Sequence, residues 1–333
     1  MNESRIWVVR IPKGPDVTEK VRSENLVAIG FSIQQDIRTI DNRDKIKELY
    51  LAENPDASNR RVSSSAGQLF RFANSLRVGD WVLSPDRDKR TALFGKIMSE
   101  YDFLPDILKP GISHYRKVEW HGEFSRDDMS ISLKNSTGSL STVFNMDKHS
   151  SELFKLMNQP AVEHVPFVGD EEDEEVTPLY DDTKAKADDL IADIISKIDP
   201  YDFQDLVAGL LKTMGYRTRV SDPGPDHGID IFAHPDAFGF VKPRIKVQVK
   251  RKQAATSGQD IRALMGTLGD GENGLFVSSG GFTTEARNEA RRNARITLID
   301  MDEFVKLLTE NYEKLDSDCR AMIPLRKVWM PTS

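Results

Sequence analysis

The chain has 333 residues, of which 38% are hydrophobic and 30% charged, and its formal net charge at pH 7 is −7. This length predicts more than one domain, because a single core rarely serves so long a chain. No apolar run approaches the roughly 20 residues of a membrane span, and the single cysteine excludes an internal disulfide and a cysteine-based zinc site. The chain starts without the basic and apolar parts of a signal peptide, so we expect a cytoplasmic protein.

The first half of the chain is predicted to form several short strands separated by turns. The predicted strands cover residues 6–11, 25–32, 79–84, 91–97, 115–120 and 139–144, with Pro85 and charged neighbours forming the turn after the third. Short strands with turn signals between them are typical of a small barrel. We therefore expect an α+β domain built on a barrel over residues 1–165.

This half resembles the EVE and YTH group of PUA-like domains over roughly residues 4 to 150. The matching segments are Trp7-Val8-Val9-Arg10, Ile29-Gly30-Phe31-Ser32, Gly79-Asp80-Trp81-Val82, Phe94-Gly95-Lys96-Ile97 and residues 114–120. The resemblance implies a PUA-like barrel that reads a modified base, extruded from the helix, inside an aromatic cage. Stacking in such a cage offsets the few kcal/mol that base flipping costs.

The resemblance implies Phe31 as a cage residue, and Ser32 offers a polar contact for selectivity. The other cage candidates are aromatic residues that the sequence does not rank: Trp81, Tyr101, Phe103 and Trp120. A competing interpretation is that the tryptophans, Trp7 included, form the core of the barrel.

The middle of the chain carries almost all of its acidity. Residues 166–205 contain 3 basic and 14 acidic side chains, whereas residues 1–165 contain 24 and 23, and residues 206–333 contain 19 and 16. The acidic run at 169–175 repels itself and has no apolar area to bury, so it predicts a solvated linker over residues 166–182. The alternative is that the run mimics DNA and occupies a basic groove.

The remainder predicts alternating helices and strands over residues 183–325, which is typical of an α/β domain. Helices are expected at 183–198, 200–214, 257–268, 283–294 and 301–312, and strands at 229–233, 245–250, 274–278 and 296–300. On the helix at 283–294, Arg287, Arg291 and Arg295 recur at helical spacing and predict a face that contacts the DNA backbone. The alternative is a solvated face with intrahelical pairs to Glu285 and Glu289.

The strand at 245–250 alternates apolar and polar residues, which places Lys246, Gln248 and Lys250 on one face. If it pairs with the strand that follows Asp230, a carboxylate, an amide and an ammonium group converge. Asp230 supplies the hard oxygen that Mg²⁺ prefers, and Gln248 can add a neutral oxygen or orient a metal-bound water. Lys250 can stabilise the phosphate or position the attacking water. The alternative is that Asp230 only ends a turn, and that Gln248 and Lys250 lie on the solvent-exposed face of an ordinary strand.

These residues resemble Mrr-like restriction endonucleases, the Asp…Gln-x-Lys branch of the PD-(D/E)XK superfamily, over roughly residues 199–308. The segments that carry the resemblance, in order, are residues 203–207, 214–216, 226–231, 248–250 and 274–278. The resemblance implies a mixed sheet flanked by helices and metal-dependent cleavage of DNA. It places Gln204 and Asp226 in the site as well. Because the family usually has Glu where this chain has Gln204, one negative charge near the metal is missing.

Together these features predict a modification-dependent, type IV-like restriction endonuclease that uses Mg²⁺, with Mn²⁺ as a substitute, on double-stranded DNA carrying modified bases. Asp230 and Gln248 are the predicted metal ligands. Cutting of both strands with one centre per chain predicts a homodimer. The runner-up is a non-catalytic reader of modified DNA or RNA whose nuclease fold is disabled by the change at Gln204.

Overall fold

The computed structural model describes residues 4–14, 16–87, 89–158, 179–221, 228–236, 238–252 and 254–329. The chain divides into two compact units, the first extending to Lys186 and the second beginning at Ala187. The acidic run at 169–175 lies outside the described residues. Helix α6 begins at Leu179, so the last four residues of the predicted linker are helical. No helix within the described ranges has the length and apolar character to cross a membrane.

The N-terminal unit contains a strongly curled sheet. Its described strands are β1 (Ile6–Val9), β2 (Leu26–Ile29), β3 (Trp81–Asp86), β4 (Thr91–Ile97), β5 (Asp102–Phe103), β6 (His114–Ser125) and β7 (Val143–Asn145). They are ordered β2-β6-β4-β3-β1-β7, with β5 on β6. No pairing among the described residues joins β2 to β7, so barrel closure stays a prediction.

Pro85 is not in a turn, contrary to the prediction, because it pairs with Ala92 inside the β3–β4 ladder. Strand β1 pairs with β3 only from Trp81 to Leu83, so Pro85 lies beyond its end. Proline has no N–H to donate, so it is tolerated where no neighbouring strand would accept a hydrogen bond from it.

Helices surround this sheet, and the sequence patterns did not predict them. They are α1 (Val17–Ser23), α2 (Arg43–Glu53), α3 (Asn59–Phe70), α4 (Ile131–Thr137) and α5 (Ser150–Leu156). Helix α3 begins at a serine cap, since the Ser58 side chain accepts the N–H of Arg61.

The second unit is built on a mixed sheet. Its described strands are β8 (Arg217–Val220), β9 (Ile231–His234), β10 (Arg244–Lys250), β11 (Glu272–Ser278) and β12 (Ile296–Ile299). They are ordered β12-β11-β10-β9-β8. Strands β10, β11 and β12 are parallel, whereas β8, β9 and β10 pair antiparallel. Strand β8 was not predicted, since its half-exposed residues carry no apolar run.

Helices cover both faces of this sheet, as the prediction of a mixed sheet flanked by helices requires. They are α6 (Leu179–Ile195), α7 (Pro200–Thr213), α8 (Gly258–Gly266), α9 (Thr284–Arg291), α10 (Met301–Asn311) and α11 (Ser317–Met322). Val247 and Val249 of β10 face a core shared with α7 and α10, including Phe203 and Phe304. Phe276 of β11 faces a second core with Ile261 of α8.

Candidate active site

Asp230 lies at the start of β9, between helix α7 and strand β10. Its backbone N–H donates to the carbonyl of Val247 at 2.9 Å. Ile231 and Val247 are the last pair of the antiparallel β9–β10 ladder, so Asp230 lies just beyond the ladder, beside residues 247–249 of β10. Oδ2 of Asp230 accepts the backbone N–H of Val249 at 2.7 Å, and Oδ1 accepts the amide of Gln204 at 2.8 Å.

Asp230 carries a carboxylate in a half-buried position. Burial raises its pKa above the ordinary value, and the N–H of Val249 and the charge of Lys250 oppose this rise without cancelling it. Burial raises the pKa because it removes water from the charged carboxylate. A cation bound beside this group would restore part of the lost stabilisation, which makes Asp230 chemically suited to a metal site.

Gln248 lies against the turn that leads to Asp230. A Cβ at Gly228 would lie 3.1 Å from the side-chain nitrogen of Gln248, and Gly228 has a φ of +78°. Glycine adopts this conformation at little cost, so the chain passes close to the Gln248 amide there. The structure therefore brings Gln204, Gln248 and Asp230 to one end of the sheet. Asp226 lies outside the described residues.

Lys250 is on the same face of β10 as Gln248, two residues further on. Its ammonium group donates to Oδ1 of Asp260, at the beginning of α8, and lies 5.6 Å from the ring centroid of Phe276. Burial raises the pKa of Asp260, but hydrogen bonds from Lys250 and Ser257 outweigh this and lower the pKa to about 2. Lys250 is thus part of an ion pair.

The oxygen donors around Asp230 fit Mg²⁺ chemically. Each carboxylate oxygen of Asp230 accepts one hydrogen bond and keeps lone-pair capacity for a cation. The amide of Gln248 adds a neutral oxygen, and Mg²⁺ usually keeps several waters and takes few protein carboxylates. Within the described residues, no group of three or more His, Cys, Asp or Glu side chains is placed to hold a metal ion.

The predicted DNA-contacting arginines have different surroundings. Arg287 of α9 is partly buried, lies 3.2 Å from Asp300 and sits over the ring of Phe282. Arg295 is exposed and donates to the carbonyl of Gly269 at 3.3 Å. Arg291 is exposed on α9. Glu285 and Glu289 both pair with Arg262 of α8, so the interpretation as intrahelical pairs holds only in part.

Phe31 and Ser32 follow β2 with unusual backbone conformations. Their φ values are +58° and +61°, in the left-handed region that non-glycine residues rarely adopt. Phe31 is partly buried against the core and Ser32 is exposed. Two consecutive residues in this region store strain, which is often found at binding sites.

The other predicted base-recognition residues are more deeply placed. Trp81 is 7% exposed, and its ring stacks on Phe94 with centroids 4.9 Å apart. Tyr101 is 6% exposed, and its hydroxyl bonds to His114 at 2.8 Å and accepts the N–H of Ile37. Burial raises the pKa of the Tyr101 hydroxyl. These two residues therefore occupy positions typical of core aromatics.

Trp120 and Trp7 also make hydrogen bonds within the N-terminal unit. The indole of Trp120 is partly buried and donates to the carbonyl of Val21 at 3.2 Å. Trp7 is 3% exposed and donates to the buried carboxylate of Asp80 at 3.0 Å. Core packing, the alternative interpretation from the sequence, describes Trp7 and Trp81 well.

Sequence reasoning missed Asp260. A signal was present, because Ser257-Gly258-Gln259-Asp260 has the spacing of a capping box, and the structure contains one. This motif predicts a helix start at Ser257 with Asp260 in its first turn. The contact with Lys250 itself depends on the crossover from β10 to α8 and has no local signature.

Comparison with known proteins divides the chain in two. Residues 195–308 match the family Mrr_cat, described as restriction endonuclease, and residues 7–147 match a domain of unknown function, DUF8426. Neither family corresponds to the EVE or YTH resemblance, which stays a prediction.

One curated relative is the type IV methyl-directed restriction enzyme EcoKMrr of Escherichia coli (strain K12), 30% identical over 135 residues. The match covers 38% of this chain and 43% of that protein, so the chain spans less than half the length of this relative.

Two solved structures are also similar. The first is the MspJI restriction endonuclease in complex with a 27-mer oligonucleotide, with a TM-score of 0.33 and 12% identity, covering 74% of this chain and 64% of that one. The second is AspBHI, a DNA modification-dependent restriction endonuclease, with a TM-score of 0.34 and 13% identity, covering 80% and 74%. The sequence match over residues 195–308 shows that the second unit of this chain contains a restriction endonuclease domain of the Mrr_cat family.

Proposed function

We propose that this protein is a modification-dependent, type IV-like restriction endonuclease that hydrolyses phosphodiester bonds in double-stranded DNA. The observation that carries the proposal is the contact of Asp230 with β10, where its carboxylate accepts the N–H of Val249, between Gln248 and Lys250, inside the segment that matches restriction endonucleases. The similarity to a type IV methyl-directed enzyme supports the dependence on modified DNA.

Asp230 and Gln248 are the residues that would hold Mg²⁺ or Mn²⁺, with Asp226 and Gln204 as further members of the site. When bound, the ion supplies positive charge that polarises a phosphoryl oxygen and lowers the pKa of a bound water. The Lys250 ammonium stabilises charge that develops on the phosphate. Gln204 orients the Asp230 carboxylate by donating a hydrogen bond to Oδ1.

The N-terminal unit recognises the modified base in this proposal. The base is flipped out and stacks on Phe31, while Ser32 contacts its modifying group. Phe31 is supported by its partial exposure and its strained backbone at the end of β2. Tyr101 and the partly buried Trp120 pack in the same core as Phe31 and shape the walls behind it, whereas Trp81 packs in a separate core. Arg287, Arg291 and Arg295 contact the DNA backbone, with the exposed Arg291 the best placed.

The decisive experiment incubates purified protein with plasmids that carry methylated or hydroxymethylated bases and with unmodified plasmid, each with and without Mg²⁺. We expect cutting of a modified plasmid only, and only when Mg²⁺ or Mn²⁺ is present. Absence of cutting of every modified substrate would contradict the proposal.

Each chain has one set of these residues, so cutting of both strands requires two chains. We therefore propose a homodimer on DNA. Light scattering of the protein with a modified duplex should give the mass of two chains. A monomer both free and on DNA would contradict this part of the proposal alone.

A second candidate is a reader of modified DNA or RNA without catalytic activity. It is favoured by one observation: an amide, Gln204, lies beside Asp230 where the family usually has a carboxylate. Selective binding of modified nucleic acid without metal-dependent turnover would favour this function. Competition between single-stranded RNA and duplex DNA would then identify the nucleic acid.

A further inference from the structure

The carboxylate of Asp260 contacts Lys250, Ser257 and, at 3.9 Å, the ammonium group of Lys252. Oδ1 accepts from the ammonium group of Lys250, and each of the two side chains is 25% exposed. Oδ2 accepts the backbone N–H and the hydroxyl of Ser257, both at 2.9 Å. Oδ1 thus pairs with Lys250, whereas Oδ2 bonds to the helix cap and lies 3.9 Å from the ammonium group of Lys252.

The helix start that carries Asp260 is rigidly placed. The Ser257 hydroxyl accepts the N–H of Asp260, which completes a capping box. The next residue, Ile261, is completely buried in the core that also contains Phe276. Because Phe276 lies beneath the Lys250 ammonium group, the same core supports the lysine from below. Lys250 is therefore held by a carboxylate on one side and a ring on the other.

We propose that Asp260 is a positioning residue that holds the Lys250 ammonium group where the scissile phosphate is bound. This inference rests on the proposed nuclease function. A lysine side chain has many rotamers, and fixing one of them costs conformational entropy. Asp260 already holds the Lys250 side chain in one conformation before DNA binds. The ammonium group therefore does not lose this entropy during the reaction.

The chain offers variants that separate the charge of Asp260 from its capping role. Asp260→Asn keeps a carbonyl oxygen for Ser257 but removes the charge that faces Lys250. Ser257→Ala removes the capping hydroxyl but leaves the carboxylate. Asp260→Glu keeps the charge on a longer arm. Each variant is measured by single-turnover cleavage of a modified duplex, and its affinity for that duplex is measured separately.

For Asp260→Asn we expect a cleavage rate about 10- to 100-fold lower, the loss typical of a misplaced catalytic group, with unchanged DNA affinity. Ser257→Ala should cleave at the wild-type rate per folded molecule, and Asp260→Glu should recover part of the loss. An Asp260→Asn variant that cleaves at the wild-type rate overturns the inference. An Asp260→Asn variant that cleaves faster than the wild type also overturns the inference, since the ion pair would then inhibit Lys250.

A second measurement does not depend on cleavage. The urea midpoints of Lys250→Met, Asp260→Asn and the double variant form a thermodynamic cycle. If the pair exists in solution, the two single shifts do not add in the double variant, and additive shifts overturn the inference. If the shifts are non-additive but the wild type cuts no modified DNA, the proposed nuclease function is contradicted. The ion pair between Lys250 and Asp260 is then still supported.

Discussion

In the C-terminal unit polar side chains gather at one end of the sheet, whereas in the N-terminal unit most of the aromatic side chains enter the core. Gln248 and Lys250 share a face of β10, and Asp230 reaches that strand between them, because its carboxylate accepts the N–H of Val249. Trp81 and Tyr101 are almost fully buried, and Phe31 with Ser32 lies at the surface. The predicted polar site residues thus stay partly exposed, whereas two of the predicted aromatic ones are buried.

The largest expected effect tests the polar end of the sheet. Asp230→Ala or Lys250→Ala should lower the cleavage rate by about 10²- to 10⁴-fold, the range for removal of a group that acts directly on the reacting phosphate. Binding of a modified duplex should be unchanged, since we propose that the N-terminal unit provides recognition. Rates from gel-resolved cleavage and affinities from fluorescence anisotropy measure the two effects.

A matched control is Lys246→Ala on the same face of β10. The ammonium group of Lys246 is held by the carbonyl of Thr267 and by Glu272, the latter at 2.8 Å. This variant should cleave at the wild-type rate per folded molecule. If Lys246→Ala abolished cleavage as completely as Lys250→Ala, position along β10 would not distinguish an active-site lysine from a structural one.

The next effect separates cage from core in the N-terminal unit. Phe31→Ala should weaken binding of a modified duplex by about 1–3 kcal/mol, the usual value for one stacked base, and change stability little. Trp81→Ala should instead lower the free energy of unfolding by about 3–5 kcal/mol, because a buried ring leaves a cavity. Affinity and urea unfolding are measured for both variants. Unchanged affinity in Phe31→Ala would remove Phe31 from the recognition site.

The sequence predicted the C-terminal fold more fully than the N-terminal one, and the reason lies in periodicity. The alternation at Ile245 to Lys250 and the helical spacing around Ile191 are local patterns, and both elements formed where predicted. Helices α2 and α3 do carry apolar residues at helical spacing, Ile46 and Tyr50 in one and Val62, Ala66 and Leu69 in the other, so this local signal was present but missed among polar neighbours. The Lys250–Asp260 pair joins two elements through a crossover, which no local pattern encodes.

Substitutions of Gln204 test the proposed metal site. Gln204→Glu places a second carboxylate beside Asp230, so the half-saturating Mg²⁺ concentration for cleavage should fall by about 10-fold or more. Gln204→Ala, which removes the hydrogen bond to Asp230 without adding charge, should raise that concentration. Titration of the cleavage rate with Mg²⁺ measures both. If Gln204→Glu did not alter the Mg²⁺ dependence, position 204 would lie outside the metal site.

The smallest expected effect concerns stability. Burial raises the pKa of Asp230 above 3.8, so the folded protein favours the protonated form. Its contribution to stability is therefore fully present below about pH 3.8 and is lost as pH rises through the folded-state pKa. Asp230→Asn removes the charge, and the Gln204 amide can rotate to accept from the new amide. We expect a gain of about 0.5–2 kcal/mol at neutral pH in metal-free buffer.

This gain should narrow towards pH 4, where the wild-type carboxyl is increasingly protonated. Addition of Mg²⁺ should reverse the order at neutral pH, because binding to the folded wild type stabilises it while the variant has lost its anionic ligand. Urea midpoints at the two pH values, each with and without Mg²⁺, measure these differences. A variant less stable than the wild type in metal-free neutral buffer would show that Asp230 supports the fold. The polar end of the C-terminal sheet would then resemble the N-terminal core, where such groups stabilise the structure.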